Sequence, residues 1–372
     1  TKLAYNVKAD ADVPAQDLFV RTCQSLTADC SLDANWSAPK NVSNTVMKTS
    51  ISTDWNGALD ASSARTPYWG DSDKPNISNG GGNLMLTWTD KFCDALPGDA
   101  DGLTDQRTVT YLTRDNREIP FSCTYAAYSY DSGKNWTLPQ QLSDGSRDAK
   151  QDVSKVNSMG KSVITWQEDP MGLQLGSADG PGDGASGAIA SHGTDIWYVT
   201  STFEATKWED EAHTIPVAGK PTGFPIAPTR LTDNATAKAT GSSSPVKNAA
   251  GVTVDLTEID GGSAGATRAN TGMVGSDIVV AYEETKGSEE LDIGKFVRYH
   301  KFGYTANPTS QIGCIISNPA ENARRVRFVT NSFIDLATNP TGLAMGIFWK
   351  EGLYDNGGPS DIMVRVAKGG LA

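Results

Sequence analysis

Apolar residues in this chain come in short runs, and four of them end in an aromatic residue followed two positions later by an acid. They are Leu84-Met-Leu-Thr-Trp88-Thr-Asp90, Val163-Ile-Thr-Trp166-Gln-Glu168, Ile278-Val-Val-Ala-Tyr282-Glu-Glu284 and Met345-Gly-Ile-Phe-Trp349-Lys-Glu351. Runs of this length, rich in β-branched and aromatic residues and bounded by Gly, Asn and Asp, predict strands. A second strand follows each after a loop of varying length, at 125–130, 195–200, 296–300 and 361–366. A fifth copy opens the chain with strands at 3–7 and 17–22. Its tail, Asn35-Trp36-Ser-Ala-Pro39-Lys-Asn-Val-Ser43-Asn44, is matched nearly residue for residue by Asn135-Trp136-Thr-Leu-Pro139-Gln-Gln-Leu-Ser143-Asp144. A looser version runs from Trp208 to Asp233.

Such a repeat is a small antiparallel sheet with two apolar faces. It cannot bury both alone, so copies must stack, and closing the stack into a ring protects the edges. The expected fold is therefore all-β, a single β-propeller domain over 1–372 with five to six blades. The Gly/Ser-rich excursion at 235–265 is either an insertion or the divergent sixth blade. The first copy lacks an opening strand and the last stops after its third, so completing one blade from both chain ends would close the ring.

One connection carries a recognisable turn: Ser129-Tyr-Asp131-Ser-Gly133-Lys-Asn-Trp136. Asp131 can accept from backbone N–H groups two or three residues on, Gly133 supplies a positive φ, and Trp136 anchors the returning strand. The string fits the pattern S/T-x-D-x-G-x-x-W, and with the blade rhythm around it the chain resembles the sialidase-like, Asp-box β-propeller superfamily. That superfamily joins sialidases, other glycosidases and secreted proteins without known activity, so fold alone does not deliver function. The resemblance implies that Asp-box turns lie on one face and that ligands bind on the other, where second-to-third-strand loops emerge. Here those loops are 91–124, 170–194, 285–295 and 352–360.

Composition narrows the classes. A net charge of −12 excludes the basic footprint of a nucleic-acid binder. No apolar segment approaches the roughly 18 residues that span a bilayer. The chain shows no starting Met and no signal peptide, as a processed or truncated chain would. Of five cysteines, Cys23 and Cys30 flank a polar loop and Cys93 and Cys123 bracket a longer one. Neither pair has metal-ribbon spacing, so two disulfides in an oxidising compartment are expected, with the protein secreted, extracellular, at the cell surface or periplasmic. Cys314, inside Ile312-Gly-Cys-Ile-Ile316, reads as a buried free thiol.

Candidate chemistry gathers on the loop face. The strand-end acids Asp90, Glu168, Glu284 and Glu351 either cap their strands by accepting backbone N–H bonds or, for one of them, serve as a general acid or base. Arg65, Arg268 and Arg325 each open a blade, and the resemblance implies three arginines from different blades that hold a substrate carboxylate. The arginine-isoleucine-proline signature of those enzymes is absent from its early position. The nearest string, Arg117-Glu-Ile-Pro120, lies inside a loop. Tyr282-Glu283 cannot act as a nucleophile pair because adjacent strand residues face opposite ways. Asp99, Asp101 and Asp105 form a fragment of a calcium loop that lacks the twelfth-position Glu. His192 and His300 are candidates for copper or zinc. No other cofactor is indicated. The expected partner is a glycan or another surface protein, and the rival function is glycoside hydrolysis by two carboxyl groups.

Overall fold

A computed structural model of the chain describes residues 3–6, 11–23, 28–45, 70–93, 106–111, 117–170, 172, 194–202, 228–234, 246–247, 265–274, 277–285, 295–306, 308, 313–318, 321–331, 344–352 and 359–368. Among the described residues there are seven antiparallel sheets. Leu3–Asn6 pairs with Ala11–Pro14 and not with the 17–22 segment, and five sheets, A to E, follow one another as repeats. Sheet A pairs Phe19–Val20 with Lys40–Asn41. Sheet B runs Ser72–Gly80, Asn83–Asp90, Cys123–Ser129 and Gln140–Gln141. Sheet C runs Asp148–Val156, Lys161–Asp169, Asp195–Thr202 and Thr229–Arg230. Sheet D runs Ala266–Val274, Asp277–Thr285, Lys295–Gly303 and Cys314–Ile315. Sheet E has three strands, Asn322–Asn331, Ala344–Gly352 and Ser360–Lys368.

The sheets stack face to face because their strands alternate with period two and are apolar on both sides. In sheet B, Leu86 and Trp88 pack with Val42 of the sheet A segment, while Met85 packs with Ile164 and Trp166 of sheet C. Val163 of sheet C meets Ile278, Val280 and Tyr282 of sheet D. Val279 and Ala281 of sheet D meet Met345, Ile347 and Trp349 of sheet E. Each repeat aromatic thus points backward, to the preceding sheet in chain order, and the residue after it points forward.

Two devices recur in register. The first strands of B, C, D and E each carry a bulge, after Asp73, Lys150, Thr267 and Arg324. Lys74, Arg268 and Arg325 in these bulges have φ of 50°, 53° and 56°. The extra residue re-aims the strand where it begins. At the outer edge, Val42, Leu142, Leu231 and Ile316 donate their N–H groups to Leu18, Thr124, Ile196 and Val297 carbonyls at 2.8, 2.8, 2.7 and 3.0 Å. The following hydroxyls of Ser43, Ser143, Thr232 and Ser317 accept from the N–H groups of those same four residues at 2.9, 2.9, 3.0 and 2.9 Å. A hydroxyl oxygen replaces the next carbonyl of the ladder, so the fourth strand stops there with the donor satisfied.

The fourth copy of this device corrects the reading of Cys314. Cys314–Ile315 is an edge strand with both residues exposed, and Ile316 after it turns into the core. The pairs Cys23–Cys30 and Cys93–Cys123 are both disulfide-bonded. The string 117–120 is also a strand: Arg117–Pro120 forms a hairpin with Thr108–Tyr111, and Val246–Lys247 from the 235–265 excursion pairs with it. No ring closure joins sheets A and E among the described residues.

The Ser129–Trp136 turn has its positive-φ glycine and buried Trp136, and Asp131 reaches one residue further than expected, to the Asn135 N–H. Asp131 Oδ1 accepts from Ser129 Oγ and from the Asn135 N–H, each at 2.9 Å, and the Trp136 indole donates to the Gly133 carbonyl at 3.1 Å. Gly133 has φ +87°, and a Cβ there would lie 2.5 Å from Thr22 Cγ2. Gly133→Ala is therefore expected to cost about 1–3 kcal/mol, read as a lowered urea midpoint; an unchanged midpoint would show that the turn does not hold sheet B against the Thr22 loop.

Candidate functional site

The repeat acids sit at the ends of the second strands, on the backward face with the aromatic two residues earlier, because i and i+2 share a face. Trp166 Nε1 donates to Glu168 at 2.7 Å and Trp349 Nε1 donates to Glu351 at 2.9 Å. Asp90 is one methylene shorter and turns elsewhere: it accepts from Thr45 and Ser72 hydroxyls at 2.7 and 2.6 Å and from the Asp71 and Phe92 N–H groups at 3.0 and 2.9 Å. The buried Trp88 Nε1 consequently has no partner. Glu351 also accepts from the Asn318 N–H at 2.7 Å. Asp90 thus caps its own strand end through the Phe92 N–H, as the capping reading expects, whereas Glu351 takes a backbone N–H from beyond the preceding sheet's fourth strand. Glu168 and Glu284 take side chains instead.

Those two acids head a buried ionic cluster at the loop end of sheets C and D. Arg147, on the link into sheet C, reaches Glu168 Oε2 with Nε at 3.8 Å and Asp195 Oδ2 with Nη2 at 3.1 Å. Asp195 stands opposite Glu168 across the sheet C ladder. It also takes Arg230 Nε at 2.8 Å, Thr232 Oγ1 at 2.7 Å and the Asn234 N–H at 3.0 Å. Glu284 is bonded to Arg298, whose Nη1 donates to the Gly313 carbonyl at 2.9 Å. Burial pushes the Glu168 carboxyl up to about 8, against the pull of the Trp166 indole and Arg147. Burial likewise raises Asp195 and Glu284, opposed mainly by their arginines. A carboxyl that keeps its proton through neutral pH beside a second carboxyl is the equipment of general acid catalysis.

Of the sequence-selected arginines, Arg268 and Arg325 lie within first strands, at the bulges, and meet through one carboxylate. Buried Glu283 faces forward and accepts from the Arg325 N–H at 2.6 Å and from Arg268 Nη1 at 3.3 Å, with Lys295 Nζ at 3.8 Å. One sheet earlier, Gln167 Oε1 accepts from Thr267 Oγ1 at 2.6 Å and the Arg268 N–H at 3.1 Å. Tyr282 shares a face with Glu284 rather than with Glu283. Its hydroxyl lies 3.0 Å from His300 Nε2, and burial and Arg298 hold that imidazole down to about 4. Among the described residues no group of three or more His, Cys, Asp or Glu is placed to hold a metal. Arg65, Asp99, Asp101, Asp105 and His192 lie outside the described residues. Arg147, Asp195 and Arg230 were not singled out from the sequence, although Asp195 opens its strand as Asp17 opens the equivalent one.

No family model and no curated protein matches the chain. Solved structures do. The Hadza microbial sialidase Hz136 is 10% identical with a TM-score of 0.32, covering 90% of this chain, which spans 47% of the sialidase. The GH43 endo-arabinanase from Bacillus licheniformis is 12% identical over 89% of this chain and 82% of its own, with a TM-score of 0.31. The intramolecular trans-sialidase from Ruminococcus gnavus is 9% identical over 91% of this chain and 76% of its own, with a TM-score of 0.33.

Proposed function

We propose that the chain is an extracellular or cell-surface binding module, a sialidase-like β-propeller of five to six blades whose loop end takes up a glycan. The observation that supports this reading is the internal pairing of four arginines among the described residues. Arg147 and Arg230 are held by Asp195, Arg268 by Glu283 and Arg298 by Glu284. Each pair lies within one sheet or on the link into it, so guanidinium groups so neutralised brace strands of their own sheet and are not offered to a substrate carboxylate. Two disulfides fit export, and among the described residues no helix is long and apolar enough to cross a membrane. Calcium at Asp99, Asp101 and Asp105 belongs to the same proposal, and elemental analysis of the purified chain tests it.

A glycoside hydrolase is the second reading, favoured by the carboxyl pair Glu168 and Asp195. Glu168 would be the proton donor and Asp195 the second carboxyl. A glycan array read beside a panel of fluorogenic glycosides separates the two. Retention of one glycan class without turnover is the expected result. Turnover abolished by Glu168→Gln would replace the binding reading with the hydrolase, and silence in both assays would defeat both.

A further inference from the structure

We propose that Val246–Lys247 is the tip of a strap that closes over the Glu168–Asp195 carboxyl pair and lifts to give a ligand access to it. The strap is rooted at the Asp195 hub on both sides. Where the chain leaves sheet C, the Asn234 N–H donates to Asp195 Oδ1 and the Asn234 amide donates to the Thr194 carbonyl, each at 3.0 Å. Where it enters sheet D, the Ala266 N–H donates to that same carbonyl at 2.8 Å. Between these roots, Val246 and Lys247 pair with Val109 and Thr108. Roots and tip are all described residues. A chain that starts and ends at one point while its middle is docked elsewhere spans the ground between the two.

The strand that receives the tip belongs to a fixed arm. Thr108–Tyr111 pairs with Arg117–Pro120, and the base of that hairpin is clamped. Cys93–Cys123 closes the loop that carries it, and Gln106 Nε2 donates to the Lys91 and Phe121 carbonyls at 2.7 and 2.8 Å. The Phe121 N–H donates to the Arg107 carbonyl at 2.7 Å, and the Arg107 N–H reaches the Gly145 carbonyl at 3.1 Å. Gly145 leads through Ser146 to Arg147, the cation shared by Glu168 and Asp195. The contacts thus form a circuit from the arm through Arg147, Asp195 and Asn234, returning to the arm at Val246. The strap is its weak side. Two ladder pairs join it to the arm, fewer than the strands of a stable sheet share. Opposite Lys247, the buried Thr108 Oγ1 has no hydrogen-bond partner among the described residues. Water reaching that hydroxyl as the strap lifts offsets part of what the ladder loses. A weakly held segment on a rigid scaffold is the kind of element that gates a site.

A water-soluble carbodiimide with glycinamide reads this access, because it modifies carboxyl groups and mass spectrometry locates the products. Val109→Cys with Val246→Cys in a Cys314→Ser background ties the strap to the arm, since directly opposed strand residues lie within disulfide reach. The oxidised variant is expected to show Glu168 modification lowered about tenfold against either single-cysteine variant. Asp33, whose side chain is 87% exposed, should be modified equally in all three. Because the cysteines could fail to join, Lys247→Pro serves as a second variant, removing a backbone donor and the strand habit. Its Glu168 modification should rise severalfold with an unchanged thermal transition. Equal Glu168 modification in the tied and untied variants, no rise in Lys247→Pro, or no modification of Glu168 in any variant would each overturn the proposal. No glycan enters the measurement, so its outcome stands apart from that of the glycan array.

Discussion

Asp195→Ala is expected to remove about 3–5 kcal/mol of stability, the largest loss from any single side chain in sheet C. The carboxylate is buried and every oxygen lone pair has work: Arg147 Nη2 and Arg230 Nε on Oδ2, Thr232 Oγ1 and the Asn234 N–H on Oδ1. Alanine would leave two guanidinium charges facing each other with little solvent to replace the lost anion, and breaking a buried pair from one side costs more than the pair contributes. Asp17, the equivalent residue of sheet A, provides the comparison. It accepts from the neutral Asn41, Ser43 and Thr45 at 2.9, 3.0 and 2.8 Å, and Asp17→Ala is expected to cost about 1–2 kcal/mol. Urea denaturation of both variants, with a double-mutant cycle of Asp195→Leu and Arg230→Met, measures the difference. A coupling energy near zero would show that Arg230 is held by the strand and not by the carboxylate.

How far this could be read from the sequence depends on what each feature rests on. The repeat strands were legible because a sheet apolar on both faces writes a continuous run ended by an aromatic and an acid. The disulfides were legible because each cysteine pair brackets one loop. The bulges were not, because one extra residue leaves no mark on a period-two pattern; Arg268 and Arg325 read as opening their blades, and their place at the bulges comes from the structure. Cys314 was misread for a related reason. An apolar pentapeptide looks buried, yet Cys314 and Ile315 form an outer edge strand and are exposed.

The site shows the same division. That Tyr282 and Glu283 face apart follows from strand geometry, and the structure agrees, with Glu283 forward and Tyr282 backward. The Asp195 hub was not legible because its partners come from four separate places in the chain, Arg147, Arg230, Thr232 and Asn234. Their meeting depends on how long the intervening loops are, which no local pattern records. Aligning the copies would have exposed part of it, since Asp17 with Ser43 and Asp195 with Thr232 occupy the same register.

Glu168→Gln should stabilise the protein at alkaline pH and leave it nearly unchanged in acid. Burial raises the Glu168 carboxyl from the ordinary 4.5 to about 8. Between those values the folded state keeps a proton that the unfolded chain has released. Its contribution is therefore full below pH 4.5 and declines as pH rises toward 8, at up to about 1.4 kcal/mol per pH unit. Water reaching the site and Arg147 turning toward the anion would reduce the slope, so a loss on the order of 2–4 kcal/mol between pH 5 and pH 8 is expected. Glutamine cannot ionise, and its carbonyl oxygen can still accept from the Trp166 indole. The variant should be more stable than the parent at pH 8 by a similar amount, and within about 1 kcal/mol of it at pH 5. Asp152, raised to about 6 by burial, acts in the same direction at lower pH and remains in the variant, so some slope below pH 6 should persist. Urea midpoints of both proteins across pH 5 to 8 decide the matter. Parallel curves would mean that Glu168 is ionised in the folded protein, which would also remove the proton donor that the hydrolase reading requires.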